Sequence, residues 1–350
     1  MDKILNTSRK IKAPDQKIRN IAKAHLDELT KPQGSLGRLE ELAEQIVCIK
    51  GNENKPAVTR KVIFTLAGDH GVVEEGVSAF PQEVTGQMLL NFSHGGAAVN
   101  VLAKHAGAEI KVVDMGVKGE IYGDDSGIIN KKVKMGTNNM AKGPAMSKEE
   151  AIMAVERGIE LVEENCGYDV IGVGDMGIGN TTASSAIIAV LTGEEIKSVT
   201  GRGTGISETT LEHKINVIQK SIKINDPDPL DPMDVLHKVG GFEIAGIAGI
   251  LLCAASKKIP AVIDGLISTA GALIAVSLEP KVRHFLIPSH LSVEHGHSKA
   301  LEYLGLKPYM DLNMRLGEGT GAALMFNLID SAIKIYNEMA TFGGAQVSKS

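Results

Sequence analysis

Residues 170–191 read VIGVGDMGIGNTTASSAIIAVL, a short apolar run followed by a glycine-rich turn and a helix-like segment. Continuous apolar runs of this kind are typical of strands that are buried on both faces of a parallel sheet. Similar runs recur along the chain, and helix-like segments separate them. This alternation predicts an α/β fold with a doubly wound, mainly parallel sheet flanked by helices.

The predicted strands share an apolar run that ends in Asp, Gly, Ser or His, and they cover residues 62–67, 110–113, 170–173, 260–263 and 285–288. The predicted helices that separate them cover residues 96–106, 147–165, 181–191, 207–224 and 265–278. Ser147 and Glu150 have the spacing of a capping box. Ser35 is predicted to cap a helix over 36–50, and a long amphipathic helix is predicted over 319–339. We therefore expect a large sheet domain over 61–318 and a smaller helical domain built from 1–60 and 319–350.

Composition excludes several classes of protein. The 350 residues contain 42 acidic and 37 basic side chains, a net charge of −5, which argues against a nucleic-acid binder. The three cysteines are far apart and odd in number, so neither a disulfide framework nor a zinc site is expected. The N-terminus does not look like a signal peptide, and no apolar stretch is long enough for a membrane helix. These features predict a cytoplasmic enzyme.

Acidic and glycine residues follow the predicted strands. The stretches are GDHG at 68–71, DMG at 114–116, GDMG at 174–177, DG at 264–265 and SH at 289–290. In an open parallel sheet, ligands bind beyond the carboxyl ends of the strands. The sequence therefore predicts a ligand site at this edge.

Gly172, Gly174 and Gly177 match the G-x-G-x-x-G pattern of dinucleotide-binding loops. Asp175 lies inside this loop, however, where its carboxylate would face the diphosphate. One phosphate fits the loop better, bound by donors at the start of the following helix: Gly177, Gly179, Asn180 and Thr181. An NAD-linked oxidoreductase stays the alternative, and a turn that only lets strand and helix pack is a second one.

A second glycine-rich loop, GRGTG at 201–205, also precedes a predicted helix. Gly203 and Thr204 offer backbone N–H groups, and Lys214 lies two to three turns into that helix. This arrangement predicts anion binding, with a flexible loop as the alternative.

Glu318 lies between two glycines in RLGEGTGAA, residues 315–323, just before the last long helix. Ordinary helix capping would prefer Ser, Thr or Asp without glycines on both sides. The small neighbours would let a substrate ring approach the carboxylate, as a general base requires. A solvated glutamate at a helix start is the alternative.

The cluster SHLSVEHGH at 289–297 suggests a metal site, but His295 and His297 are two residues apart and would lie on different faces of a helix. Asp124 and Asp125 form the only adjacent Asp pair, and they do not follow a buried strand. We therefore predict no metal site.

Nine colinear stretches closely resemble the nicotinate-nucleotide:dimethylbenzimidazole phosphoribosyltransferase family. They span residues 29–324 and are LTKPQGSLGRLEELA, AGDHGVVEEGVSAFPQEVTGQM, GGAAVNVLA, GVGDMGIGNTTASSA, GRGTG, GGFEIAGIAG, IDGLISTAGAL, SHLSVEHGH and RLGEGTGAAL. The resemblance implies a two-domain homodimer in which Glu318 is the general base and Asp175 the second acidic residue. It implies that Ser78, Phe80 and Gln87 line the benzimidazole pocket. It also implies that the glycine loops at 177–182 and 203–205 hold the nucleotide 5′-phosphate with Lys214.

The resemblance further implies phosphoribosyl transfer from nicotinate mononucleotide to 5,6-dimethylbenzimidazole, with inversion at the ribose carbon and no cofactor. The alternatives are the NAD-linked oxidoreductase above and a non-catalytic carrier of azoles or nucleotides. The preferred acceptor stays open among benzimidazoles, adenine and phenols, because pocket volume depends on packing.

Overall fold

The structure is a computed structural model, and it describes residues 1–52, 54–119, 123, 126–203 and 205–348. Its strands are β1 (Lys61–Gly68), β2 (Ala108–Gly116), β3 (Ile129–Asn130), β4 (Val170–Met176), β5 (Ala261–Ile263) and β6 (Leu286–Pro288). Its α-helices are α1 (Asp2–Ser8), α2 (Gln16–Glu28), α3 (Arg38–Lys50), α4 (Glu83–Ser93), α5 (Ala98–His105), α6 (Lys148–Glu164), α7 (Asn180–Thr192), α8 (Ile196–Val199), α9 (Glu208–Asn225), α10 (Pro232–Val239), α11 (Phe242–Ser256), α12 (Leu266–Leu278), α13 (His295–Leu304), α14 (Thr320–Glu338) and α15 (Phe342–Ala345).

The strands form one sheet in the order β3-β2-β1-β4-β5-β6, and every pair within the described residues is parallel. Strands β2 and β3 follow β1 in turn toward one edge of the sheet, and β5 and β6 follow β4 in turn toward the other edge. The strand order therefore reverses between β1 and β4, the point at which doubly wound sheets bind their ligands.

Alternate side chains of β1 enter two different hydrophobic cores. Val62, Phe64 and Leu66 belong to one core, and Ile63 and Ala67 belong to the other. Helices α6, α11 and α12 pack together over the first face, and α3, α5 and α14 pack over the second. Because both faces are covered by helices, the predicted doubly wound sheet is confirmed.

All five predicted strands are present, and a sixth, β3, was not predicted because its two residues are too short to form an apolar run. The capping box is confirmed, since the Ser147 hydroxyl accepts from the Glu150 amide at 3.1 Å and the Ser147 amide donates to the Glu150 carboxylate at 2.9 Å. The prediction that Ser35 caps α3 is wrong. The preceding residues form turns, and α3 begins after Gly37, whose φ of 53° suits glycine.

The two chain ends meet where α3 packs against α2 and α14. Helix α14 also contacts β1, β4 and β5, whereas α1 lies on the other face of the sheet against α6 and α11. The division into domains 61–318 and 1–60 with 319–350 stays a prediction. Among the described residues, no helix combines the length and hydrophobicity that crossing a bilayer requires.

Candidate active site

A cavity of about 470 Å³ opens beyond the carboxyl ends of the central strands. Most of its lining comes from the ends of the strands, the segments that follow β4, β5 and β6, and the loop before α14, and Phe80 joins it from the segment between β1 and α4. The lining residues include Phe80, Asp175, Gly177, Asn180, Thr181, Gly203, Leu266, His290, Ser292, Glu294, Arg315, Leu316 and Glu318. The structure thus has a cavity of ligand size at the strand ends, where the sequence predicted the site.

Glu318 is held in the wall of this cavity in a left-handed conformation, with φ = 65°. Its side chain is only 6% exposed, and its Oε2 has no hydrogen-bond partner among the described residues. Burial raises the pKa of Glu318 to about 7. The carboxyl group is therefore not a solvated helix-start glutamate, and among the described residues it forms no ion pair. A pKa of about 7 suits a base that works near neutral pH.

Asp175 is the penultimate residue of β4 and lies beside the Glu318 loop. A Cβ atom placed on Gly317 would stand 3.3 Å from Asp175 Oδ1, which shows how closely the loop approaches this carboxyl group. Asp175 Oδ2 accepts from Asn180 Nδ2 at 2.9 Å, and Oδ1 lacks a partner within the described chain. Burial, with the neighbouring carboxylates of Asp264 and Glu243, raises the pKa of Asp175 well above its ordinary value. Two buried acidic groups thus share one cavity.

Lys214 is a buried lysine at the end of the site where the sequence predicted anion binding. Its Nζ donates to Thr181 Oγ1 at 2.8 Å and to the Gly201 carbonyl at 3.3 Å, and burial lowers the pKa of Lys214 to about 8. A Cβ on Gly203 would lie 3.1 Å from Thr181 Oγ1, so the two glycine-rich loops meet here. Helix α7 begins at Asn180 in the same place, and its N-terminus favours an anion.

Gly177 and Gly179 line a small pocket at this end together with Lys214. Thr204, which the sequence assigns to the same phosphate site, lies outside the described residues, as do Asp124 and Asp125. The structure therefore brings together the described members of the predicted phosphate site.

Of the three residues predicted for the benzimidazole pocket, Gln87 lies apart from the other two. Phe80 lines the main cavity and is 48% exposed, and its amide donates at 3.2 Å to the hydroxyl of Ser78, which lines the adjoining small pocket beside Lys214. Gln87 lines a different cavity, of about 390 Å³. The reason is helical geometry: Thr85 faces the site loop and accepts from the Ile178 amide at 3.1 Å, and residues two apart on a helix project about 200° apart.

Packing accounts for all three glycines of the G-x-G-x-x-G pattern. A Cβ on Gly172 would contact the Ala322 and Phe326 side chains, and one on Gly177 would stand 2.3 Å from the Gly68 carbonyl oxygen. At Gly174 it would stand 2.2 Å from the Glu318 carbonyl oxygen. These close approaches are between parts of the protein itself.

The histidine-rich stretch contributes His290 and Glu294 to the cavity wall. His290 lies at a strand end where the sequence predicted the ligand site, whereas Glu294 had not been assigned to it. His297 is instead buried. Its Nδ1 accepts a hydrogen bond from the Ser292 amide at 2.9 Å, and its Nε2 is hydrogen-bonded to Thr269 Oγ1 at 3.1 Å. Burial lowers the pKa of His297 to about 3, so it serves the packing of this segment as a neutral ring. The position of the stretch directly after β6 was the signal by which the sequence placed His290 at this edge of the sheet.

Comparisons with known proteins agree with this geometry. A family model described as phosphoribosyltransferase matches residues 11–347. A nicotinate-nucleotide–dimethylbenzimidazole phosphoribosyltransferase of Geobacter metallireducens is 54% identical, covering 100% of this chain and 99% of its own. Its counterpart in Geotalea uraniireducens is 56% identical, covering 97% of each chain. The crystal structure of the Thermus thermophilus enzyme of the same name superposes with a TM-score of 0.91 at 43% identity, covering 96% of this chain and 100% of that one. The chain therefore belongs to the nicotinate-nucleotide–dimethylbenzimidazole phosphoribosyltransferase family and is a pentosyltransferase.

Proposed function

We propose that this enzyme transfers the phosphoribosyl group of nicotinate mononucleotide to 5,6-dimethylbenzimidazole, which yields nicotinate and the α-ribazole 5′-phosphate used in the lower ligand of cobalamin. The names of the relatives support these substrates. The observation that carries the proposal is the buried Glu318 carboxyl group, whose Oε2 has no hydrogen-bond partner among the described residues, in a cavity that also contains Asp175 and adjoins the small pocket of Lys214.

The chemistry needs one base and no general acid. The leaving nitrogen of nicotinate mononucleotide is a positively charged pyridinium, so nicotinate departs with the bonding electrons and needs no proton. The nucleophile is a ring nitrogen of the neutral benzimidazole, and the N–H on its other nitrogen becomes acidic as the new bond forms. The Glu318 carboxylate takes this proton, a contribution of about 10²–10⁴-fold to the rate.

Asp175 stabilises the charge that develops at the ribose carbon. As the bond to nicotinate breaks, the sugar acquires oxocarbenium character, and a nearby carboxylate lowers the energy of that cation. Although burial raises the pKa of Asp175, the cation favours the ionised form. Attack on the face opposite nicotinate converts the β-nucleotide into an α-product. Each step uses only the two substrates and side chains, so the mechanism requires no cofactor.

The 5′-phosphate binds at the end of the cavity where Lys214 meets the α7 N-terminus. A phosphate there accepts hydrogen bonds from the Lys214 ammonium group and from the Thr181 hydroxyl. The Lys214 Nζ and Thr181 Oγ1 atoms of these two donors are 2.8 Å apart. Holding the phosphate fixes the ribose carbon relative to both acids, and such positioning contributes to the rate beyond the proton transfer.

We also propose that the enzyme is a cytoplasmic homodimer, as the resemblance implies. Exposed apolar side chains support an interface: Leu312 and Leu316, in the loop that enters the cavity, are 54% and 55% exposed. The cysteines are free thiols, which suits a reducing compartment. Sedimentation equilibrium of the purified protein checks the dimer, and a monomer at micromolar concentration would contradict it.

Mass analysis of the products tests the proposed reaction. The enzyme is incubated with nicotinate mononucleotide and a panel of benzimidazoles, adenine and phenols. We expect nicotinate and the α-ribonucleotide of dimethylbenzimidazole in equal amounts. Binding of both substrates without release of nicotinate would favour the carrier alternative. A change in absorbance at 340 nm with NAD and a reducing substrate would favour the oxidoreductase.

A further inference from the structure

The loop that carries Glu318 has an unusual backbone conformation. Gly317, Glu318 and Gly319 have φ values of 79°, 65° and 96°, so three successive residues lie in the left-handed region. No helix or strand continues through such a turn, and the left-handed conformation is costly for a residue with a side chain. A strained residue of this kind persists only where contacts from the surrounding structure determine it.

The first of these contacts comes from Asp264, which directly follows β5 and is fully buried. Its Oδ2 accepts from the Gly319 amide at 2.8 Å, and its Oδ1 accepts from the Gly321 amide at 2.7 Å. Hydrogen bonds from amides to a carboxylate are among the stronger ones in proteins. Because both oxygens are engaged with the loop and the start of α14, Asp264 acts on the backbone that follows Glu318 and not on a substrate.

The second contact comes from Thr65, which lies within β1. Its hydroxyl donates to the Glu318 carbonyl oxygen at 3.0 Å, and its side chain is fully buried. On the side of β4, a Cβ on Gly174 would stand 2.2 Å from the same carbonyl oxygen, so the loop lies directly on that strand. The loop is thus held by a side chain of β1 and by the side chain of the residue after β5, and it packs against β4.

We propose that Asp264 and Thr65 are positioning residues that keep the Glu318 carboxylate in reach of the acceptor N–H. This inference rests on the proposed function, in which Glu318 is the general base. Neither residue contacts the reacting atoms. Their loss lets the loop relax away from the left-handed conformation, and a displacement of about 1 Å at a reacting group costs on the order of 10²-fold in rate.

The test compares three variants in full-length protein. Asp264→Asn keeps one acceptor oxygen but replaces the other with an NH₂ group. That group cannot accept a hydrogen bond from the backbone N–H that it faces. Thr65→Val removes the hydroxyl at constant shape, whereas Thr65→Ser retains it. Asp114→Asn is the matched control: Asp114 is a fully buried aspartate at the end of β2 that accepts from the Val117 amide at 2.8 Å, outside the cavity.

We expect Asp264→Asn and Thr65→Val to lower kcat by about tenfold or more, with the KM for nicotinate mononucleotide within about twofold of the wild-type value. Thr65→Ser and Asp114→Asn should keep kcat near wild type. Cooperative thermal unfolding confirms that each variant is folded. If Asp264→Asn does not fold, the comparison of Thr65→Val with Thr65→Ser decides the question.

Three results would overturn the inference. They are a wild-type kcat in both Asp264→Asn and Thr65→Val, an equal kcat in Thr65→Val and Thr65→Ser, or a loss of kcat in Asp114→Asn as large as in Asp264→Asn. If Glu318→Gln is inactive while these variants are normal, the positioning role fails and the base remains. If Glu318→Gln itself turns over normally, the proposed function fails.

Discussion

The pH dependence of turnover follows from the burial of Glu318. Burial raises the pKa of this carboxyl group from its ordinary value of 4.5 to about 7. A base acts only when it is ionised, so kcat/KM should fall as the pH drops through about 7. With a pKa of about 7, about one-eleventh of the groups are ionised at pH 6 and about ten-elevenths at pH 8. The rate should therefore rise about tenfold between these pH values, whereas a carboxyl group with an ordinary pKa would give a nearly flat profile.

The assay is the initial rate of nicotinate release between about pH 5.5 and 8.5 at constant ionic strength, with limiting nicotinate mononucleotide. It is repeated with azoles whose ring nitrogens differ in basicity. A titration that belongs to the enzyme stays at the same pH for every azole, whereas one that belongs to the acceptor moves with its basicity. A flat profile, or one that follows the azole, would refute the assignment.

Two neighbouring acids need to be distinguished from Glu318 in this profile. Burial raises the pKa of Asp264 to about 7, and burial together with nearby carboxylates raises the pKa of Asp175 well above its ordinary value. The Asp175→Asn variant should turn over more slowly but keep an acidic limb. Loss of that limb in Asp175→Asn would assign the titration to Asp175 instead.

Three further predictions concern stability, binding and packing. Because the folded-state pKa of Glu318 is raised, the folded protein binds more protons than the unfolded chain between pH 4.5 and about 7, and stability falls as the pH rises through this window. Glu318→Gln should therefore raise the Tm at pH 8 and leave it unchanged near pH 4, and equal Tm values at pH 8 would contradict this. Lys214→Ala should weaken binding of nicotinate mononucleotide by about 10–100-fold in calorimetry, through loss of a charged hydrogen bond. Wild-type binding should itself weaken above pH 8, because the pKa of Lys214 is lowered to about 8. Lys223→Ala, an exposed change on the same helix, is the control, and an unchanged Kd for Lys214→Ala would exclude the phosphate role. Gly174→Ala should lower both Tm and kcat, because its Cβ would stand 2.2 Å from the Glu318 carbonyl oxygen, while Gly343→Ala, which meets nothing within 4 Å, should change neither. Normal turnover by Gly174→Ala would show that the loop tolerates displacement.

The sheet could be predicted because buried parallel strands have a distinct pattern. Five apolar runs ended in Asp, Gly, Ser or His, and each is a strand in the structure. Strand β3 could not be predicted, since its two residues, Ile129–Asn130, are too few to form an apolar run. The start of α3 was displaced to Arg38 because consecutive turns, ending at Gly37, replace the expected serine cap.

The candidate site could be predicted where strand ends and glycines mark it. Glu318 and Asp175 line one cavity and Lys214 lines the small pocket beside it, while the roles assigned to them stay predictions. The anchors of the Glu318 loop could not be predicted. The Asp264 contact joins residues 55 positions apart and the Thr65 contact joins residues 253 apart, and both bind backbone atoms that carry no sequence pattern.

The central claim is that Glu318 accepts a proton from the incoming azole, and the single-turnover rate of nicotinate release by Glu318→Gln tests it most directly. Enzyme in excess is mixed with nicotinate mononucleotide and dimethylbenzimidazole at pH 8, and the Kd of the nucleotide is measured alongside. We predict a rate lower by about 10²–10⁴-fold with the Kd within about twofold of wild type. A rate close to that of the wild-type enzyme would contradict the mechanism.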